Sequence, residues 1–62
     1  MIYEIAEYTV DGYIYAHAVT CRRSANAPAV ILAEFRANEA IGYYPKTEAE
    51  TLRRYLEERA AS

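Results

Sequence analysis

IYEIAEYTVDGYIYAHAVTC, residues 2–21, is the stretch from which the architecture can be inferred, because two β-rich runs meet there at Asp11-Gly12. Asp-Gly between such runs is typical of a type I′ turn, in which both central residues adopt a positive φ. A two-residue turn also fixes the register, so that Tyr8 lies opposite Tyr15 and Ala6 lies opposite His17. The sequence therefore predicts an N-terminal antiparallel β-hairpin.

The predicted register gives the hairpin two faces that differ in size. The smaller, aliphatic face suits the close approach of a helix, and its main side chains are Ile5, Ile14, Ala16 and Ala18. The larger face is aromatic and carries Ile2, Glu4, Ala6, Tyr8, Val10, Tyr13, Tyr15, His17, Val19 and Cys21. An antiparallel sheet commonly has one polar face, and this hairpin has none. Either the chain covers both faces, or a partner covers one of them.

The composition is that of a single small globular domain, residues 1–62. Of these 62 residues 53% are hydrophobic, and the formal net charge is −2. A hydrophobic fraction of this size argues against disorder, and the acidic balance argues against a dedicated nucleic-acid binder. No apolar run approaches the roughly 20 residues of a membrane span, and the single Cys21 suits a reducing compartment. We therefore expect a cytoplasmic protein with no membrane partner.

The middle segment, residues 28–41 (PAVILAEFRANEAI), allows two interpretations. As a helix it would have Asn26 as N-cap, Pro28 in the first turn and Gly42 at its end. As a strand it would show the alternation of apolar and polar residues that begins at Ile31, followed by a turn and a fourth strand, Ile41–Tyr44. We favour the helix, because good helix formers dominate the composition.

The C-terminal segment Thr47–Ala61 has the clearest helical pattern in the chain. Thr47 and Glu50 form a capping box. The predicted buried stripe consists of Ala49, Leu52, Tyr55, Leu56 and Ala60. The predicted fold is thus α+β: the aliphatic face of the hairpin packs on this helix, and the middle segment is a second helix. The alternative is a four-stranded antiparallel sheet with one C-terminal helix.

The sequence contains no recognisable catalytic constellation. His17 and Cys21 are the only imidazole and thiol, and four strand residues separate them by about 13 Å, too far to share a metal ion or form a dyad. Glu4, predicted to lie diagonal to both, has no second polar group beside it. There is also no glycine-rich phosphate loop. We therefore predict a protein that is not an enzyme and has neither a cofactor nor a metal.

The tyrosines are the most unusual feature of the composition. There are seven of them in 62 residues. Tyr3 and Tyr55 are expected in the core. The others exceed what a core requires, and tyrosine is enriched at the centres of protein interfaces; we predict a protein-binding surface at Tyr8, Tyr13, Tyr15, Tyr43 and Tyr44. This surface suits an accessory or inhibitory protein, by analogy with the small anti-defence proteins of phages and mobile elements. The partner would be another protein or, in a homodimer, a second copy.

The alternative function is a small nucleic-acid-binding regulator that uses Arg22, Arg23 and Lys46. The Asp11-Gly12 hairpin followed by residues 37–41 (ANEAI) is similar to HicB-like antitoxins, although the third strand expected directly after Cys21 is not evident. Residues 42–56 are similar to the strand-to-helix step of arm-type integrase DNA-binding domains. Each resemblance covers a few positions, and neither assigns a role to a residue of this chain.

Overall fold

The computed structural model describes residues 1–61, apart from the side chain of Glu39. It contains three strands, β1 (Ile2–Val10), β2 (Tyr13–Arg22) and β3 (Val30–Arg36), and then a 3-10 turn (Glu39–Ile41) and one helix, α1 (Lys46–Ala61). The strands form one antiparallel sheet in the order β1-β2-β3. The predicted α+β class is therefore confirmed.

The turn between β1 and β2 has the predicted chemistry. Asp11 has a φ of 51° and Gly12 a φ of 84°, as both central positions of a type I′ turn require. Aspartate tolerates this left-handed region better than most residues, and glycine adopts it without steric cost. Asp11-Gly12 thus fixes the position of the hairpin in the sequence.

An extra residue in β2 changes the predicted register. Val10 pairs with Tyr13, but farther from the turn Tyr8 pairs with Ala16, so that Tyr15 forms a β-bulge. A shift of one residue sends every following side chain to the opposite face. The predicted pairs beyond the bulge are therefore wrong: His17 lies opposite Glu7 instead of Ala6.

The helix α1 covers the sheet face that carries His17 and Val19, which with Pro45 are the largest fully buried side chains. Tyr3 shares this face, and it lines a cleft together with the C-terminal end of α1. We call this surface the helix face and the opposite surface the open face. Ile5 and Ile14 lie on the helix face as predicted. Ala16 and Ala18 do not, because the bulge at Tyr15 moves them to the open face.

The segment predicted as a second helix is instead β3. Its pairing with β2 runs from Arg36, opposite Ala16, to Val30, opposite Cys21. Without β3, backbone N–H and C=O groups of β2 would be left unpaired at the centre of the domain, which is costly for buried groups. Hydrogen bonding to β2 and the β-branched Val30 and Ile31 thus outweigh the helical propensity of the alanines and glutamates.

The four-stranded alternative is also incorrect for the described residues. After β3, Asn38 and Tyr43 form an isolated antiparallel bridge, in which each backbone N–H donates to the other residue's carbonyl at 2.9 Å. The 3-10 turn lies between them. Pro45 is then buried, and its carbonyl accepts a hydrogen bond from the Ala49 N–H at the start of α1. The chain therefore leaves the edge of the sheet after this one bridge and enters the helix.

The buried side of α1 is narrower than predicted. Ala49 is fully buried, and Leu52 and Leu56 are half-buried. Tyr55, predicted in the core, is 52% exposed, and the Arg59 guanidinium lies 5.6 Å from the centre of its ring. Position 55 lies to the side of the stripe formed by Ala49, Leu52 and Leu56, so its ring points away from the sheet.

Candidate functional site

The open face is a surface that α1 does not cover, since α1 is the only α-helix among residues 1–61 and lies on the other side. Ala16 and Ala18 have no exposed area and form its floor. The other side chains on this face come from all three strands: Ile2, Glu4, Ala6, Tyr8, Val10, Tyr13, Tyr15, Thr20, Arg22, Ile31, Glu34 and Arg36. A half-covered sheet normally exposes polar residues on its free side, and here the end next to the turn is aromatic and aliphatic instead.

Three tyrosines cluster at the turn end of the open face. The ring centroids of Tyr8 and Tyr15 are 6.0 Å apart and the rings are tilted by 32°. Tyr13 pairs with Val10 beside the turn. Tyr13 is 65% exposed and Tyr15 is 45% exposed, so water contacts much of both rings. The bulge at Tyr15 preserves this cluster, because that ring stays beside Tyr8 while the rest of β2 changes face.

The other two predicted interface tyrosines lie on a separate segment. Tyr43 is bridged to Asn38, and Ala37 donates a backbone hydrogen bond of 2.8 Å to the Tyr15 carbonyl. Both Tyr43 and Tyr44 are exposed. They therefore lie at the same end of the sheet as Tyr15, next to the outer edge of β3.

An ion pair marks the opposite end of the open face. Arg22 donates a hydrogen bond through Nη2 to Glu4 Oε2 at 2.9 Å, and its Nε lies 2.8 Å from Glu4 Oε1. Arg22 also donates to the Ala25 carbonyl at 3.0 Å. Glu4 lies opposite Thr20, and not diagonal to His17 and Cys21 as predicted, because the bulge places those two on the helix face.

The structure does not bring the three predicted nucleic-acid contacts together. The guanidinium of Arg22 is held by Glu4, which compensates its charge. Arg23 follows β2 at the same end and is exposed, whereas Lys46 begins α1. Because α1 ends beside Met1 and Tyr3, Lys46 lies at the far end of the molecule from Arg23. A phosphate backbone would meet a single free arginine at one end of the sheet.

His17 is buried beneath α1 and incompletely hydrogen-bonded. Its exposure is 2%, and Nε2 lies 3.3 Å from Glu7 Oε2. Neither ring nitrogen makes a well-aligned hydrogen bond within the described chain. A buried polar group without a hydrogen-bond partner lowers the free energy of unfolding by about 1–3 kcal/mol. The His17 imidazole therefore destabilises the layer between the sheet and α1.

We expect His17→Leu to raise the free energy of unfolding by about 1 kcal/mol, because an apolar side chain of similar size removes the buried unsatisfied nitrogens. Glu7→Gln is the matched control and should change stability by less than about 0.5 kcal/mol, since the Glu7 side chain is 51% exposed. Urea denaturation at neutral pH measures both. A loss of stability in His17→Leu would mean that the imidazole makes stabilising contacts beyond those described.

Among the side chains that the structure describes, no three of His, Cys, Asp or Glu lie close enough to hold a metal ion. Cys21 is half-buried beside a cleft of about 240 Å³, which is lined by Met1, Arg22, Arg23, Ala27, Pro28 and Val30. No histidine or carboxylate lines this cleft, so the thiol has no adjacent base there.

Ala16, Ala18 and Thr20 were not predicted to lie on the open face, and Ala16 and Ala18 were expected under the helix. The alternation of side chains along β2 contains no interruption that would signal the bulge. The exposed row Val30, Ile31 and Leu32 on β3 was also missed, because a helix was favoured there. The β-branched pair Val30-Ile31 was the available signal for a strand.

No protein-family model, curated protein or solved structure matches the chain. The geometry alone defines its class: a small α+β domain in which a three-stranded antiparallel sheet has a helix on one face and no helix on the other. No helix among residues 1–61 is long and apolar enough to cross a membrane.

Proposed function

We propose that this chain is a non-enzymatic binding module that docks on a partner protein through its open face. The observation that carries the proposal is the cluster of Tyr8, Tyr13 and Tyr15 on a sheet face that the chain leaves uncovered. Contiguous apolar surface on a small protein commonly marks a site of interaction. Tyrosine suits such a site, since its large ring loses little conformational entropy and its hydroxyl group tolerates water.

The proposed role is that of an accessory or inhibitory protein, which acts by occupying the surface of its partner. The flat open face suits docking on another surface, and its ion pair, Glu4–Arg22, would lie at the rim opposite the tyrosine cluster. Tyr43 and Tyr44, at the same end of the sheet as Tyr15, would extend the contact. An anti-defence protein of a phage or mobile element would work in this way. The lone thiol of Cys21 favours the cytoplasm as its compartment.

We expect Tyr15→Ala to weaken partner binding by about 2 kcal/mol, roughly thirtyfold, if Tyr15 lies at the centre of the interface. Tyr55→Ala is the matched control, because Tyr55 is similarly exposed but lies on α1. The full chain is used to capture the partner from the native host, and the partner is identified. Its affinity is then measured by titration with the wild type, Tyr15→Ala and Tyr55→Ala. Equal losses for the two variants would contradict a site on the open face.

Salt dependence separates this function from binding to nucleic acid. A tyrosine-centred interface should lose little affinity as the salt concentration rises, whereas phosphate contacts weaken steeply. The same titration at two salt concentrations makes the distinction. Retardation of nonspecific duplex DNA at physiological salt would favour the regulator instead.

A further inference from the structure

The outer edge of β1 is an unprotected row of backbone hydrogen-bonding groups. β1 is nine residues long and lies at the edge of the sheet. Val10 and Tyr13 flank the two-residue turn, and the backbone groups of Val10 point toward β2. Backbone groups of successive strand residues point alternately toward β2 and away from it. The N–H and C=O groups that point away from β2 are therefore those of Tyr3, Ile5, Glu7 and Thr9. The bulge lies in β2, so this alternation continues without a break. β1 also contains none of the proline, lysine or arginine residues that commonly protect an edge.

The outer edge of β3, in contrast, is interrupted. Ala33 pairs with Val19 and Ile31 pairs with Thr20, which leaves Leu32 as a bulge in the middle of the strand. Beyond β3 the bridge between Asn38 and Tyr43 already occupies the edge. A bulge and a covering segment are two of the usual means by which edge strands are kept from pairing. The described chain therefore has one long uninterrupted edge, that of β1.

The charges on β1 do not prevent pairing. One of its two carboxylates, Glu4, binds Arg22, and the side chain of the other, Glu7, is half exposed on the helix face. The side chain at the midpoint of the strand is the small Ala6. An approaching strand thus meets a Glu4 that is neutralised by Arg22, a Glu7 that stays in contact with water, and no bulky side chain at the centre.

We propose that β1 pairs with β1 of a second copy of this chain, antiparallel about a two-fold axis at Ala6. In this register the outward groups of Tyr3 meet those of Thr9 of the second copy, and those of Ile5 meet those of Glu7. Every outward residue then has an outward partner, and no glutamate lies opposite a glutamate. Because each chain has one uninterrupted edge and the edge of β3 is broken by a bulge, the pairing closes as a dimer and does not continue into a fibre.

A second copy fits this edge for two reasons. The register about Ala6 overlaps all nine residues of β1, which a two-fold axis elsewhere in the strand would not do. The domain is also short of core, with Ala16, Ala18, Val19 and Ala49 as its fully buried apolar residues, and association is a usual source of stability for so small a chain. The two open faces would join into one six-stranded surface. The pairing does not depend on the proposed docking of another protein.

Sedimentation equilibrium of the full chain tests the proposal, with Glu7→Pro and Glu7→Gln as matched variants. Proline removes an outward N–H and leaves the hydrogen bonds to β2 intact, whereas glutamine removes only the charge. We expect a wild-type dimer, at least about tenfold weaker association for Glu7→Pro, and a change of less than about twofold for Glu7→Gln. A monomeric wild type at high micromolar concentration, or equal weakening in both variants, would overturn the proposal.

A disulfide trap tests the register and does not require Glu7→Pro to fold. In the proposed dimer Ala6 faces its own copy as a non-hydrogen-bonded pair, with Cα atoms about 4.5 Å apart, within the range of a disulfide. In a Cys21→Ser background, Ala6→Cys should cross-link on mild oxidation, and Thr9→Cys should remain uncross-linked. Cross-linking of Thr9→Cys alone, or of neither variant, would exclude this pairing.

Discussion

Ala33→Pro is expected to destabilise the domain by about 3 kcal/mol, and Glu34→Pro by only about 1 kcal/mol. The Ala37 N–H donates to the Tyr15 carbonyl, so alternation directs the backbone of Ala33 toward β2 and that of Glu34 outward. Proline at 33 therefore removes a hydrogen bond to β2, whereas proline at 34 removes one to water. A domain of this size has roughly 3–9 kcal/mol of stability, so Ala33→Pro would lose between about a third and all of it.

Urea denaturation followed by circular dichroism measures this pair of variants. If residues 28–41 were the second helix predicted from composition, both prolines would interrupt its interior and cost about 3 kcal/mol each. Similar losses for the two substitutions would therefore contradict β3. The pair also tests which edge of β3 faces β2.

Val19→Lys is expected to prevent folding, at a cost above about 4 kcal/mol, because the ammonium group would be buried beneath α1 without a partner. Ala18→Lys should cost only about 1 kcal/mol. Ala18 has no exposed area, but no second layer lies above it, so a lysine stem can extend across the open face and place its charge in water.

The two lysine variants test which face of the sheet carries the helix. In the register predicted from the turn alone, Ala18 would lie under the helix and Val19 on the tyrosine side, so the costs would be reversed. Urea denaturation and the dispersion of the NMR spectrum of each variant distinguish the two cases. A folded Val19→Lys protein would mean that α1 does not cover this face.

Local signals in the sequence were sufficient to predict the N-terminal hairpin turn and the C-terminal helix. Asp11-Gly12 specifies a turn through the positive φ of both residues, which depends on no distant contact. The helical pattern of Thr47–Ala61 likewise predicted α1, which begins one residue earlier, at Lys46. Both features arise from neighbouring residues, and such features are the most readily inferred from a single sequence.

The bulge at Tyr15 could not be inferred, because its reason lies in packing. With the bulge, Val19 and His17 lie beneath α1 beside Ile5; without it, Ala16 and Ala18 would occupy those places. The larger side chains bury more surface against the helix, which offsets the local cost of a bulge. The alternation along β2 is unbroken in the sequence, so the pattern alone indicates the wrong face.

The identity of β3 was ambiguous for a related reason. The alanines, leucine and glutamate of residues 28–41 favour a helix locally, and only pairing with β2 favours a strand. The consequence extends to the candidate site, since β3 adds Glu34 and Arg36 to the open face. The tyrosine cluster itself was predicted, because Tyr13 lies before the bulge and Tyr15, the bulged residue, stays beside Tyr8.

Photo-crosslinking from the open face tests the central proposal most directly. A photoreactive phenylalanine analogue replaces Tyr13 in the full chain, and the same analogue at Tyr55 on α1 serves as the control, since both side chains are exposed. Irradiation in the native host should cross-link the analogue at position 13 to one protein, as a discrete adduct. This adduct should disappear when Tyr15→Ala is introduced into the same chain. The analogue at position 55 should give no adduct. Adducts with the same protein from both positions, or from position 55 alone, would contradict a binding site on the open face.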